Sequence, residues 1–177
     1  DIDPTQGALS SESSEITHLY LERMKQQVVP NTKQVLEQSR DLGMEVIHVR
    51  IQSLTADGRD RSVSHKRLGL HVPPGSPLAE FIPDVQPQDD EIILNKTSSD
   101  AFHSTILAQL LRNMEKSQLI FCGVFTHECV SSTVRSACDL GFKSHVISDA
   151  CAAITDEQHQ DALSGLDGRY ARVLSTK

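Results

Sequence analysis

Asp3, Lys96 and Cys129 are far apart in the chain, yet each stands at the end of a short strand-like run. A cysteine thiol, a carboxylate and an ammonium group brought together can cleave an acyl bond. The carboxylate takes the thiol proton and returns it to a leaving nitrogen, and the lysine supports developing negative charge. Cys129 has the most telling surroundings. The apolar run Leu119 to Val124 reads as a buried parallel strand, and beyond the turn Val130, Val134, Ala137 and Cys138 recur at helical spacing until Leu140-Gly141. Cys129 therefore falls in the first turn of a helix, where the positive end of the helix dipole favours a thiolate and free N–H groups can cradle an oxyanion. On residue type alone a buried structural cysteine is the ordinary reading; position favours a nucleophile. Taken singly, Asp3 reads equally as a turn residue and Lys96 as a solvated strand end.

The elements that must position these groups alternate strand and helix, which predicts an α/β fold with a largely parallel sheet. Asp1 to Asp3 closes strand one, and helical segments follow over Ile16 to Gln27 and from Pro30 to the stop at Gly43. Met44 to Ile51 reads as strand two, and Glu91 to Lys96 as strand three, followed by a helix over Ala101 to Met114. Lys143 to Ser148 reads as strand five, Thr155 caps a helix through Leu166, and strand six begins at Arg172. Residues 52–90 hold five of the seven prolines with no sustained period, a long excursion of the kind that is usually functional or mobile. Both ends read as clipped within strands.

The 177 residues amount to about one domain, spanning 1–177. A net charge of -7 argues against nucleic acid or an anionic membrane as partner, and no apolar run approaches a membrane span. The four cysteines lack paired zinc-ligand spacing; Cys122 and Cys138 read as core thiols, and a reduced, cytoplasmic setting is expected.

Three segments give the chain a family likeness: Gly123-Val-Phe-Thr-His-Glu-Cys-Val130 with Thr133, Arg135 and Ala137 behind it, Lys96-Thr-Ser-Ser-Asp-Ala-Phe102, and Asp149-Ala-Cys-Ala152. The chain resembles the isochorismatase-like cysteine hydrolases, which include nicotinamidase, N-carbamoylsarcosine amidohydrolase, ureidoacrylate amidohydrolase, maleamate amidase and biuret or triuret hydrolases. The resemblance covers nearly the whole chain. It implies a three-layer, Rossmann-like fold with a six-stranded parallel sheet in the order 3-2-1-4-5-6, flanked by helices. It also implies a catalytic triad of Asp3, Lys96 and Cys129, a cis peptide at Val124–Phe125, and an oxyanion hole from the N–H groups of Phe125 and Cys129. Members are commonly dimers or tetramers, so a homo-oligomer acting on a small molecule is expected.

The departures narrow the chemistry. Thr5 and Ala8 stand where the family usually has a glutamine and an aromatic residue, so the pocket floor differs. The Asp-x-His metal motif of nicotinamidases is replaced by His48-Val-Arg50-Ile-Gln-Ser, with only scattered His65 and His71 beyond, so neither metal nor cofactor is expected. Retention of Cys129 favours amide over vinyl-ether cleavage. Candidate substrate contacts are Thr5, Phe102, Thr126, His127 and Arg59. Phe102 also reads as core and His127 as a helix cap. Arg59 belongs to a charged cluster with Arg61, Lys66 and Arg67 that is either a solvated loop or a lid supplying a cation to a carboxylate or ureido group. The expected activity is hydrolysis of a small amide, ureide or carbamoyl compound through a thioester. The alternatives are ether or ester hydrolysis of an isochorismate-like acid, or a silent metabolite-binding domain.

Overall fold

A computed structural model describes residues 13–177. The expected strand at Asp1–Asp3, and with it Asp3 and Thr5, lies outside the described residues. In chain order the elements are α1 (Ser13–Arg23), a π-helical turn Met24–Val28, α2 (Val29–Asp41), β1 (Ile47–Ile51), α3 (Val63–Arg67), β2 (Ile92–Lys96), α4 (Ala101–Ser104), α5 (Leu107–Asn113), β3 (Gln118–Val124), a second π-helical turn Thr126–Val130, α6 (Ser131–Asp139), β4 (Lys143–Ala152), α7 (Asp156–Leu166) and β5 (Arg172–Leu174). Among the described residues the strands form two parallel sheets, β1-β2 and β3-β4-β5. Every connection between paired strands carries at least one helix, as parallel pairing requires.

Two sequence expectations change in detail. The segments before and after Pro30 are one continuous helical run rather than two helices, because backbone angles stay helical through Val28 and Val29. The π-helical turn absorbs the proline: Val29 N–H bonds five residues back to Met24 O, so the ladder changes register just before a residue that has no N–H to give. The single helix expected over 101–114 is two, broken at an extended Thr105 (φ -141°, ψ 176°). The Thr105 hydroxyl donates to Ala101 O at 2.8 Å and accepts from Leu107 N at 3.0 Å, closing one helix and opening the next. The Thr155 cap forms as a full capping box with Gln158.

Helix α6 lies between two apolar clusters. One contains Leu94, Phe102, Leu107, Leu111, Ala137 and Phe142, and the other Val130, Val134, Val146, Cys151, Leu163 and Leu166. Val134 and Ala137 are fully buried at 0% exposure, so the helix behind Cys129 is gripped on both sides. Losing the two outer methyls in Val134→Ala should cost about 1–3 kcal/mol. The excursion 52–90 is tied down at both ends of its course. Gln52 N donates to Lys96 O (3.2 Å), Ser53 N to Val72 O (2.7 Å) and Ser62 N to Thr97 O (2.9 Å). At its far end Glu91 accepts from Arg40 Nε (2.7 Å) and from His48 Nε2 (2.8 Å).

Candidate active site

Parallel strands present their carboxyl ends to ligands, and two of the expected residues meet there. Lys96 closes β2 and is buried at 6% exposure, among the least ordinary places for a lysine. Its Nζ donates to Ser98 O (2.8 Å), Ser99 O (3.1 Å) and Cys129 Sγ (3.1 Å). An ammonium group has three protons and no acceptor, so these three partners satisfy it completely and make the sulfur an acceptor. A charged donor at this range stabilises negative charge on sulfur. Ser98 and Ser99 hold the lysine through their backbone carbonyls.

Cys129 is the fourth residue of the π-helical turn Thr126–Val130, which runs directly into α6. The peptide bond Val124–Phe125 ahead of it is cis. Phe125 O accepts from both Glu128 N (3.1 Å) and Val130 N (3.2 Å), which fixes the turn. The lysine and cysteine segments are also joined behind the site. The Thr133 hydroxyl donates to Cys129 O (2.7 Å) and accepts from Ala101 N (3.1 Å). The Asp100 carboxylate caps α4 through Phe102 N (2.7 Å) and also accepts from the Ser136 hydroxyl. Asp100 and Ser136 were not among the sequence candidates. The only signal for Asp100 was its N-cap position before Ala101-Phe102.

The remaining candidates are placed as follows. Thr126 has no exposed surface, and its hydroxyl is hydrogen-bonded to His159 Nδ1 at 2.8 Å, so it anchors the helix start to α7. His159 is itself buried, and that burial, reinforced by the charge of Arg23, lowers its pKa. Phe102 stacks on Phe142 with ring centroids 5.8 Å apart and belongs to the core cluster. Phe125 packs edge-on against Tyr20 (5.4 Å) and lies 5.9 Å from the ring of His127, whose Nδ1 is buried with no hydrogen-bond partner among the described residues. The Arg59 side chain is 73% exposed and pairs with Asp57 at 3.1 Å. Its neighbour Arg61 turns inward instead.

Burial pushes the Cys122 thiol up to about 12 and the Cys151 thiol well above the usual range, which leaves both inert as nucleophiles. His48 is committed to Glu91 and stacked edge-on against Phe81. Among the described residues no three His, Cys, Asp or Glu side chains are grouped to hold a metal ion, and no helix is long and apolar enough to cross a membrane.

The Isochorismatase domain family model matches residues 19–177, nearly the full chain. The chain belongs to the isochorismatase family. It is 30% identical over 166 residues to the isochorismatase family protein YrdC of Bacillus subtilis, a match covering 88% of this chain and 82% of that one. It is 27% identical over 143 residues to the maleamate amidohydrolase of Pseudomonas putida, covering 80% and 67%. The crystal structure of an isochorismatase family protein from Desulfovibrio vulgaris superposes with a TM-score of 0.77 at 27% identity, covering 84% of this chain and 80% of that one.

Proposed function

We propose that this isochorismatase-family hydrolase cleaves the C–N bond of a small amide, ureide or carbamoyl compound through a thioester on Cys129. The observation that carries the reading is the 3.1 Å contact between the Lys96 ammonium and the Cys129 sulfur at the mouth of a parallel sheet. The similarity to a maleamate amidohydrolase supports amide chemistry in particular.

In this mechanism Asp3 takes the Cys129 proton and the thiolate attacks the substrate carbonyl carbon. The oxyanion is held by the N–H groups of Phe125 and Cys129, with Lys96 supplying positive charge beside the sulfur. The tetrahedral adduct collapses with cleavage of the C–N bond, Asp3 protonates the leaving nitrogen, and an acyl thioester remains. Asp3 then deprotonates a water that attacks the thioester, releasing the acid and restoring the thiol. No metal or cofactor enters any of these steps. The same reading has the expected strand at Asp1–Asp3 joining the two sheets into one of order β2-β1-strand one-β3-β4-β5, in a cytoplasmic homo-oligomer.

The test is ammonia release across a panel of small amides, ureides and carbamoyl acids, run alongside alkylation of the protein by iodoacetamide at neutral pH. The reading expects turnover of at least one compound and fast labelling confined to Cys129. Uniformly slow thiols and no ammonia from any compound would favour a silent binding domain.

A further inference from the structure

Lys96 is held by the carbonyls of Ser98 and Ser99, so its aim at Cys129 depends on how the loop after β2 sits against α6. That loop ends at Asp100, which gathers it with both its backbone and its side chain. The Asp100 carbonyl accepts from the hydroxyls of Ser98 (2.9 Å) and Ser104 (3.2 Å). Of the carboxylate oxygens, Oδ1 caps α4 through Phe102 N (2.7 Å), and Oδ2 accepts from the Ser136 hydroxyl on α6. His103 Nδ1 also bonds to Oδ2, but its side chain is 77% exposed against 13% for Asp100, so the imidazole comes from the solvent side. Capping α4 takes only Oδ1. The bond to Ser136 is additional, and it crosses from the lysine loop to the helix behind the cysteine.

A second tie runs beside it. Thr133 accepts from Ala101 N (3.1 Å) and donates to Cys129 O (2.7 Å). Thr133 and Ser136 are three residues apart and share one face of α6, roughly 4.5 Å from each other along the axis. One tie would leave the helix free to pivot about it, whereas two spaced along the axis fix its rotation and its height. Because α6 continues directly from the turn that carries Cys129, fixing the helix fixes the sulfur relative to the lysine nitrogen. A carboxylate accepting from a hydroxyl is also a stronger tie than a bond between two neutral groups.

We propose that Asp100 and Ser136 are a positioning pair: their hydrogen bond fixes the lysine loop against α6 and so sets the contact of Lys96 with Cys129. This rests on the hydrolase reading only in taking the Cys129 thiolate as the reacting group. Neither residue touches a reacting atom. Both act through the 3.1 Å contact between Nζ and Sγ.

The test exchanges the two partners. Asp100→Ser keeps a good helix cap but is too short to reach Ser136, and Ser136→Ala leaves the cap and the carboxylate in place. Each should slow iodoacetamide alkylation of Cys129 at pH 7 by about fivefold, and Asp100→Ser with Ser136→Ala should be no slower than either alone, as for coupled neighbours. The exchanged pair, Asp100→Ser with Ser136→Asp, keeps the combined reach and reverses donor and acceptor. It should return the rate to within about twofold of wild type. Ser136→Thr keeps the hydroxyl and should behave as wild type, so the test does not depend on the exchanged pair folding. On an amide that the wild-type protein hydrolyses, the single variants should lower kcat and leave KM nearly unchanged. Urea unfolding of every variant reports stability separately. An unchanged Cys129 rate in both single variants, whatever their stability, would overturn the proposal, and so would a folded exchanged pair as slow as the single variants. Turnover without any effect of the pair removes the positioning role and leaves the hydrolase standing. The alkylation pattern without turnover of any amide does the reverse.

Discussion

The Lys96 ammonium lies 3.1 Å from the Cys129 sulfur, although among the described residues β2, which Lys96 closes, and β3, which leads into the turn bearing Cys129, pair in separate sheets. Three hydrogen bonds set that position, and two of them come from carbonyls of the lysine's own loop, at Ser98 and Ser99. The contact is therefore built from the lysine side and presented to the cysteine.

Lys96→Met keeps the apolar stem and removes the donor. Alkylation of Cys129 by iodoacetamide at pH 7 should slow by about tenfold or more, the effect of losing one charge-assisted hydrogen bond of roughly 1.5–3 kcal/mol. Labelling followed by peptide mass mapping reads this directly. An unchanged rate at Cys129 would mean that the lysine holds its loop without acting on the sulfur.

Thr126→Val removes the hydroxyl bonded to His159 and leaves a buried ring nitrogen unpaired. The expected destabilisation is about 1–3 kcal/mol by urea unfolding. Activity should fall as well, but by much less than in Cys129→Ala, because Thr126 positions the helix and touches no reacting atom.

Gly58→Ala should cost more than Gly75→Ala, although both glycines have positive φ. At Gly75 (φ +76°) a Cβ meets nothing within 4 Å, so only backbone strain of about 1–2 kcal/mol is expected. At Gly58 the same strain is joined by a clash with Arg61 and His71. Chemical denaturation of the two variants side by side separates the terms.

Acid stability should fall in two stages. His65 is neutral in the fold with its pKa near 4, below the ordinary 6.5, so the unfolded chain binds the extra proton first. Its contribution is complete above about 6.5 and is lost as pH falls toward 4. Glu91 is held near 2 rather than 4.5, first by its hydrogen bond from Arg40, with burial opposing and Gln88 and His48 assisting. Its contribution is complete above about 4.5 and is lost as pH falls toward 2. His65→Gln should flatten the upper stage and Glu91→Gln the lower one in pH-dependent unfolding midpoints.

Much of the site was legible because it is written locally. A short apolar run, a turn and a helical period place Cys129, and strands of similar length place Lys96 at an end. What the sequence hid is relational. Nothing near Thr126 announces His159, 33 residues on, and the charged cluster at 59–67 gives no sign that Arg59 faces water while Arg61 is clamped between carbonyls. The fused helix through Pro30 and the break at Thr105 were missed for a similar reason. A π-register shift before Pro30 and a side-chain cap at Thr105 override the propensities that suggested otherwise.

The central claim is that Cys129 carries the acyl group. Its most direct test is the steady-state rate of Cys129→Ala on an amide that the wild-type protein hydrolyses, measured as ammonia release with the variant's fold verified. The account predicts a loss of at least about three orders of magnitude, as expected for removing a covalent nucleophile. A variant retaining more than about a tenth of the wild-type rate would contradict it.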